Sequence, residues 1–201
     1  MAFDWLTGGN VPQFWKNYTS LFEGDDKGMH RRYVVFDMET SGLDWKEDVI
    51  LSMGGIGVLD NAIQVGDFLQ VFVKQDKFSP QSVAQHGVQK PIKNEKFVEA
   101  EAMIQFLNFV KDATLVGNNV NLDIEMINQA LKRLDLGRLK NPVMDTNILY
   151  RRWKDLPEDG QTTLDELCDA LKISKSDRHT AAGNAYTTAL VFLKLKRKLG
   201  I

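Results

Sequence analysis

The chain has 201 residues, which suits one domain with room for a small appendage. Hydrophobic residues at 43% supply a core, and charged residues at 26% are ordinary for a water-facing surface. The formal net charge of −2 excludes a protein that grips nucleic acid by a bulk positive field, so any such role must use local groups or metal ions. The single cysteine, Cys168, excludes an internal disulfide and a Cys-rich zinc site. It reads as a buried helical thiol and fits a reducing compartment. No stretch has the length of a membrane span, and no basic region followed by an apolar run opens the chain. The expectation is a cytoplasmic protein with no membrane partner.

In chain order, residues 1–30 form an N-terminal helical extension. Asn10 and Pro12 can start a helix, and Val11, Phe14, Trp15, Tyr18, Leu21 and Phe22 follow a helical stripe. Such a stripe folds back on the main domain or, given its aromatic content, docks a partner protein. The main domain is expected at 31–201. Its first strand is Tyr33-Val34-Val35-Phe36, an apolar β-branched and aromatic run that ends in Asp37-Met38-Glu39. Residues i and i+2 of a strand share a face, so Asp37 and Glu39 project side by side. Two carboxylates this close call for a proton or a cation between them. Taken alone, the pair is as readily two unrelated acids at a solvated strand end. Thr40-Ser41-Gly42 breaks the strand and sets the acids at a mouth.

Val49 to Val58 reads as a second strand, whose glycines point to close packing or a bulge rather than to a phosphate loop. Asp60-Asn61 is a hairpin turn, and Ile63 to Val73 is a third, antiparallel strand. Ser79-Pro80-Gln81 starts a helix, and Phe97, Ala100, Ile104, Leu107 and Val110 carry a helical period. Thr114 to Gly117 is a short buried strand. A helix beginning at Leu122 carries Asp123 in its first turn, where the helix dipole favours an acid whatever its function. Pro142 to Thr146 is a last short strand, and helices follow at about 146–153, 163–171 and 181–199. A meander followed by alternation predicts an α/β mixed sheet flanked by helices, with three antiparallel strands and two parallel ones.

Three segments together are more specific than any one. Phe36 to Leu43, Val116 to Asp123 and Arg178-His179-Thr180-Ala181 resemble the motifs of the DEDDh 3′–5′ exonucleases, the family of the polymerase III proofreading subunit. The resemblance spans roughly residues 31–199 and implies a ribonuclease H-like fold. It implies Asp37, Glu39 and Asp123 as the catalytic acids and His179 as the general base. It also implies two divalent ions, Mg²⁺ or Mn²⁺, held by Asp37, Glu39, Asp123 and the residue five positions after the histidine. Here that residue is Asn184, where the family carries Asp. Asn keeps a carbonyl oxygen for a hard cation but brings no charge. The loop before Asp123 has Asn118 and Asn119 where a His is usual, Leu122 replaces a Phe, and Ser41 replaces a Thr.

The implied substrate is a single-stranded or frayed 3′ end of DNA, with short RNA as another reading. Met38, Thr40 and Leu43 are expected against the terminal nucleotide, and His86 either joins them or is a turn residue. A DNA polymerase subunit is an implied partner, engaged through the N-terminal helix. Asn184 motivates an alternative, a catalytically weakened module of this fold that binds nucleic acid or a partner. The basic run Lys194, Lys196, Arg197 and Lys198 either meets phosphates or complements a helix C-terminus.

Overall fold

A computed structural model describes residues 11–23, 32–75, 95–157, 159–175 and 179–201. Their elements, in order, are α1 (Gln13–Ser20), β1 (Arg32–Thr40), β2 (Ile50–Leu59), β3 (Ala62–Val73), β4 (Lys96–Phe97), α2 (Glu99–Val110), β5 (Thr114–Gly117), α3 (Asn121–Arg133), β6 (Val143–Asp145), α4 (Thr146–Lys154), α5 (Leu164–Leu171) and α6 (Ala181–Leu199). The strands form one sheet in the order β4-β3-β2-β1-β5-β6. β1, β2 and β3 are an antiparallel meander, and β5 and β6 continue from β1 in parallel. The expected mixed sheet is present. The two-residue edge strand β4, parallel to β3, was not expected. Two residues are too few for any period to show.

The meander follows from its turn and its alternation. Asp60 and Asn61 both have positive φ (48° and 69°), the backbone of a tight two-residue hairpin, and Leu59 pairs with Ala62 across it. In β1, Val34, Phe36 and Met38 enter one core layer with α1, α2 and α3. Val35 enters the other, with α5 and α6. Phe36 meets Phe106 edge-on with centroids 5.8 Å apart. Burial of each such ring stabilises by about 1.5–3 kcal/mol. The exposed ion pairs, such as Arg133–Glu99, contribute at most about 1 kcal/mol each. Packing therefore holds the sheet.

The aromatic stripe of α1 is spent on this packing. Trp15 and Tyr18 are buried in the first core layer, and Phe14 and Phe22 pack against it. The Tyr18 hydroxyl donates to Asn141 Oδ1 (2.8 Å) and accepts from the Lys140 N–H (2.7 Å). Burial pushes the Tyr18 phenol up to about 12. Of the two readings of this stripe, folding back on the main domain is the one observed, because a face this apolar gains more from a core than from water. The C-terminal basic run is also largely structural. Lys194 Nζ caps the α5 C-terminus at the Leu171 (2.8 Å) and Lys172 (3.2 Å) carbonyls. Lys196 and Lys198 lie over the rings of Tyr33 and Trp153. Among the described residues no helix is long and apolar enough to cross a membrane.

Candidate active site

Asp37 and Glu39 share the β1 face that looks toward α6, and both are partly buried. The β1–β2 ladder shifts register between Glu39 and Thr40, which ends regular pairing just past the second acid. The following loop is tied by Asp48. Its carboxylate accepts from Ser41 Oγ (2.7 Å) and the Asp44 N–H (2.9 Å), while the Val49 N–H donates to Ser41 Oγ (3.0 Å). Thr40 Oγ1 donates to the Gly42 carbonyl (2.6 Å). Leu43 stands 81% exposed beside the acids' end of the strand. Met38 does not join them. It points to the opposite face and is buried in the core, as strand alternation requires, so its side chain is no substrate contact. His86 lies outside the described residues.

Asp123 enters from the first turn of α3. Its carboxyl is held well above the ordinary carboxylate range, first by withdrawal from water, then by the negative charges of Asp37, Asp145 and Glu39. The three acids expected from the sequence therefore share one electrostatic site. Asp145 was missed. It caps α4 by accepting the Asn147 N–H (2.8 Å), and it also accepts the N–H groups of Asn119 (3.1 Å) and Val120 (2.9 Å). One buried carboxylate thus fixes the turn that launches α3 and sets where Asp123 begins. An Asp at the end of a short strand, just before a helix, was the available signal.

α6 closes the site. Thr180 caps it through a hydrogen bond from the Gly183 N–H (3.0 Å), and Asn184 lies in the first turn. Asn184 Nδ2 donates to Asp37 Oδ2 (3.0 Å) and, more loosely, to Glu39 Oε1 (3.4 Å). Its Oδ1 accepts the His179 N–H at 3.3 Å. His179 has φ of +72°, a left-handed backbone uncommon outside glycine, and its side chain is exposed. The structure thus brings the backbone of His179 against the acid network, with its side chain exposed.

The donor set fits the implied divalent ions in part. Three carboxylates in one field are what a hard cation takes. Asn184 does not fit as a ligand in this arrangement, because its nitrogen end faces the acids. Among the described residues no three His, Cys, Asp or Glu side chains converge into a ready-made metal centre. The acids fit the ions as ligands that would draw together around them, and the amide stands among them.

Comparison with known proteins bears on this arrangement. The model of the RNase_T exonuclease family matches residues 34–192, which include both acids of β1, Asp123, His179 and Asn184. The chain belongs to the exonuclease family. Relatives of this exonuclease domain include the PolC-type DNA polymerase III of Latilactobacillus sakei, 30% identical over 83% of the chain. The PolC-type polymerase of Caldanaerobacter subterraneus is 30% identical over 87%. The chain spans only 11% and 12% of those two polymerases. The fold is that of Escherichia coli exonuclease I solved as a complex with single-stranded DNA, with a TM-score of 0.71 and 18% identity over 86% of this chain and 42% of that one. Exonuclease X, solved with a 5′-overhanging duplex, superposes with a TM-score of 0.63 and 19% identity over 84% of this chain and 93% of that one. The family and ribonuclease H-like fold expected from the three motifs are those observed.

Proposed function

We propose that this exonuclease domain hydrolyses phosphodiester bonds at the 3′ end of single-stranded or frayed DNA, in the 3′–5′ direction. The observation that carries the reading is the meeting of Asp37 and Glu39 from β1 with Asp123 from α3 under the first turn of α6. Asp37, Glu39 and Asp123 would hold the divalent ions, Mg²⁺ or Mn²⁺. When bound, such ions supply an activated water and relieve charge on the phosphate.

The chain's own groups do the rest. β1 is a central strand, so Asp37 and Glu39 are held rigidly at its end. His179 is the general base: its exposed imidazole sits on the loop that Asn184 anchors beside the acids, and imidazole is the side chain suited to taking a proton from water. Leu43 offers an apolar edge against the terminal base, and Thr40 fixes the turn that presents it. Relatedness to PolC-type DNA polymerase III supports a polymerase partner. With the aromatic face of α1 turned inward, that partner would meet another surface.

A second reading is a weakened module that binds nucleic acid without cutting it. The donation of the Asn184 amide to the acid pair favours it, because a group that satisfies the acids competes with a cation. One experiment separates the two. DNA and RNA oligonucleotides are incubated with the protein in Mg²⁺ and in Mn²⁺, beside Asp37→Ala. Shortening of DNA that Asp37→Ala abolishes supports the nuclease, whereas binding without shortening in either metal supports the module. Faster shortening of RNA assigns the domain to RNA instead, the 2′-hydroxyl being the discriminating group.

A further inference from the structure

The orientation of the Asn184 side chain is fixed by hydrogen bonds at both ends of its amide. Its nitrogen faces Asp37 (3.0 Å) and Glu39 (3.4 Å), and its oxygen faces the His179 N–H (3.3 Å). The reversed amide would press an oxygen on two carboxylates and an NH₂ on an N–H, losing all three hydrogen bonds. Two like charges on one strand face are therefore bridged by a neutral donor. The same side chain ties the turn before α6, with its left-handed His179, to that pair.

We propose that Asn184 is a metal-independent clamp, which holds Asp37 and Glu39 together and ties them to the His179 turn until a cation displaces its two donations. This rests on the nuclease reading of the site and deepens it. The carboxylate layer is then stable before any ion arrives. Asp37, Glu39 and Asp123 would hold an ion fully only once the amide has let go of the first two.

Aspartate at 184 separates these roles. It keeps an oxygen for the His179 N–H, has no N–H to donate, and adds a negative charge beside Asp37 and Glu39. The whole chain, its Asn184→Asp, Asn184→Ala and Asp37→Ala variants are melted in EDTA and in Mn²⁺, and Mn²⁺ is titrated into each by calorimetry. Asn184→Asp is expected to melt lower than wild type in EDTA by roughly 3–10 °C. It is expected to recover that loss in Mn²⁺ and to bind the weaker Mn²⁺ at least about tenfold more tightly. Asn184→Ala also melts lower in EDTA, with a smaller gain in Mn²⁺ affinity because it adds no charge. It carries the melting comparison if Asn184→Asp does not fold without metal. Wild-type behaviour of Asn184→Asp in either measurement overturns the clamp. Mn²⁺ binding that survives Asp37→Ala overturns instead the assignment of the site, so the two failures are distinct.

Discussion

Gly54 pairs with Asp37 across the β1–β2 ladder, and a Cβ built on Gly54 would lie 2.3 Å from the backbone of both Ala181 and Ala182. The first turn of α6 can rest above Asp37 only because the neighbouring strand has no side chain there. A glycine in β2 thus sets how closely Asn184 approaches the acids.

Gly54→Ala is therefore expected to act on the site more than on the fold. The α6 N-terminus must lift, since the obstacle is backbone and not a flexible side chain. Overpacking of this kind destabilises by about 1–3 kcal/mol. The nuclease rate should fall by more than about tenfold in protein that is still folded at the assay temperature, because small displacements of positioned groups have large effects on rate. Melting curves beside initial rates check this. An unchanged rate would show that α6 need not sit so close.

Asp145→Ala should be among the most destabilising single changes. It orphans the N–H groups of Asn119, Val120 and Asn147 at once. The expected loss is about 3–5 kcal/mol by denaturant unfolding. Asp145→Asn, which keeps one acceptor oxygen, should fall between. Each should also weaken Mn²⁺ binding, since the turn that launches Asp123 loses its anchor.

The raised Asp123 carboxyl makes metal-free stability depend on pH. The folded state holds this proton more tightly than the unfolded chain does. The contribution is therefore complete below the ordinary carboxylate range, about pH 4, and is lost as pH rises through the raised value. Melting in EDTA from pH 4 upward should show a decline that Asp123→Asn flattens. Mn²⁺ affinity should move the other way and strengthen with pH, since the ion takes the carboxylate.

Tyr18 gives an alkaline counterpart. Its phenol is pushed up from 10 to about 12, so stability is retained below pH 10 and lost as pH rises toward 12. Tyr18→Phe leaves Asn141 and the Lys140 N–H without that partner. It should destabilise by about 1–3 kcal/mol near neutrality and remove part of the alkaline loss. Chemical unfolding at pH 8 and pH 11 measures both.

Much of this was legible in the residues themselves. The meander, the Asp60-Asn61 turn and the side-by-side placement of Asp37 and Glu39 follow from alternation and turn chemistry, which act locally, whereas Asp123 joined them only through the resemblance of the three motifs. The role of Gly54 was half visible: close packing was readable, but that α6 is what packs there depends on a pairing of residues far apart in sequence. Met38 lies between the two acids in sequence, but strand alternation turns its side chain into the core. Asp145 escaped because its three partners come from two segments, and no local pattern reports a carboxylate shared between a helix cap and a distant turn. The Asn184 substitution was readable, but not that its amide would present nitrogen to the acids. That orientation is set by the His179 N–H on its other side.

The most direct test of the nuclease assignment is the order in which nucleotides leave. A single-stranded DNA oligonucleotide labelled at its 3′ end, and the same oligonucleotide labelled at its 5′ end, are followed in Mn²⁺ with wild type and Asp37→Ala. The account predicts that the 3′ label is released at once as a mononucleotide while the 5′ label descends a ladder, and that Asp37→Ala does neither. Release of the 5′ label first, or a ladder that persists in Asp37→Ala, would contradict it.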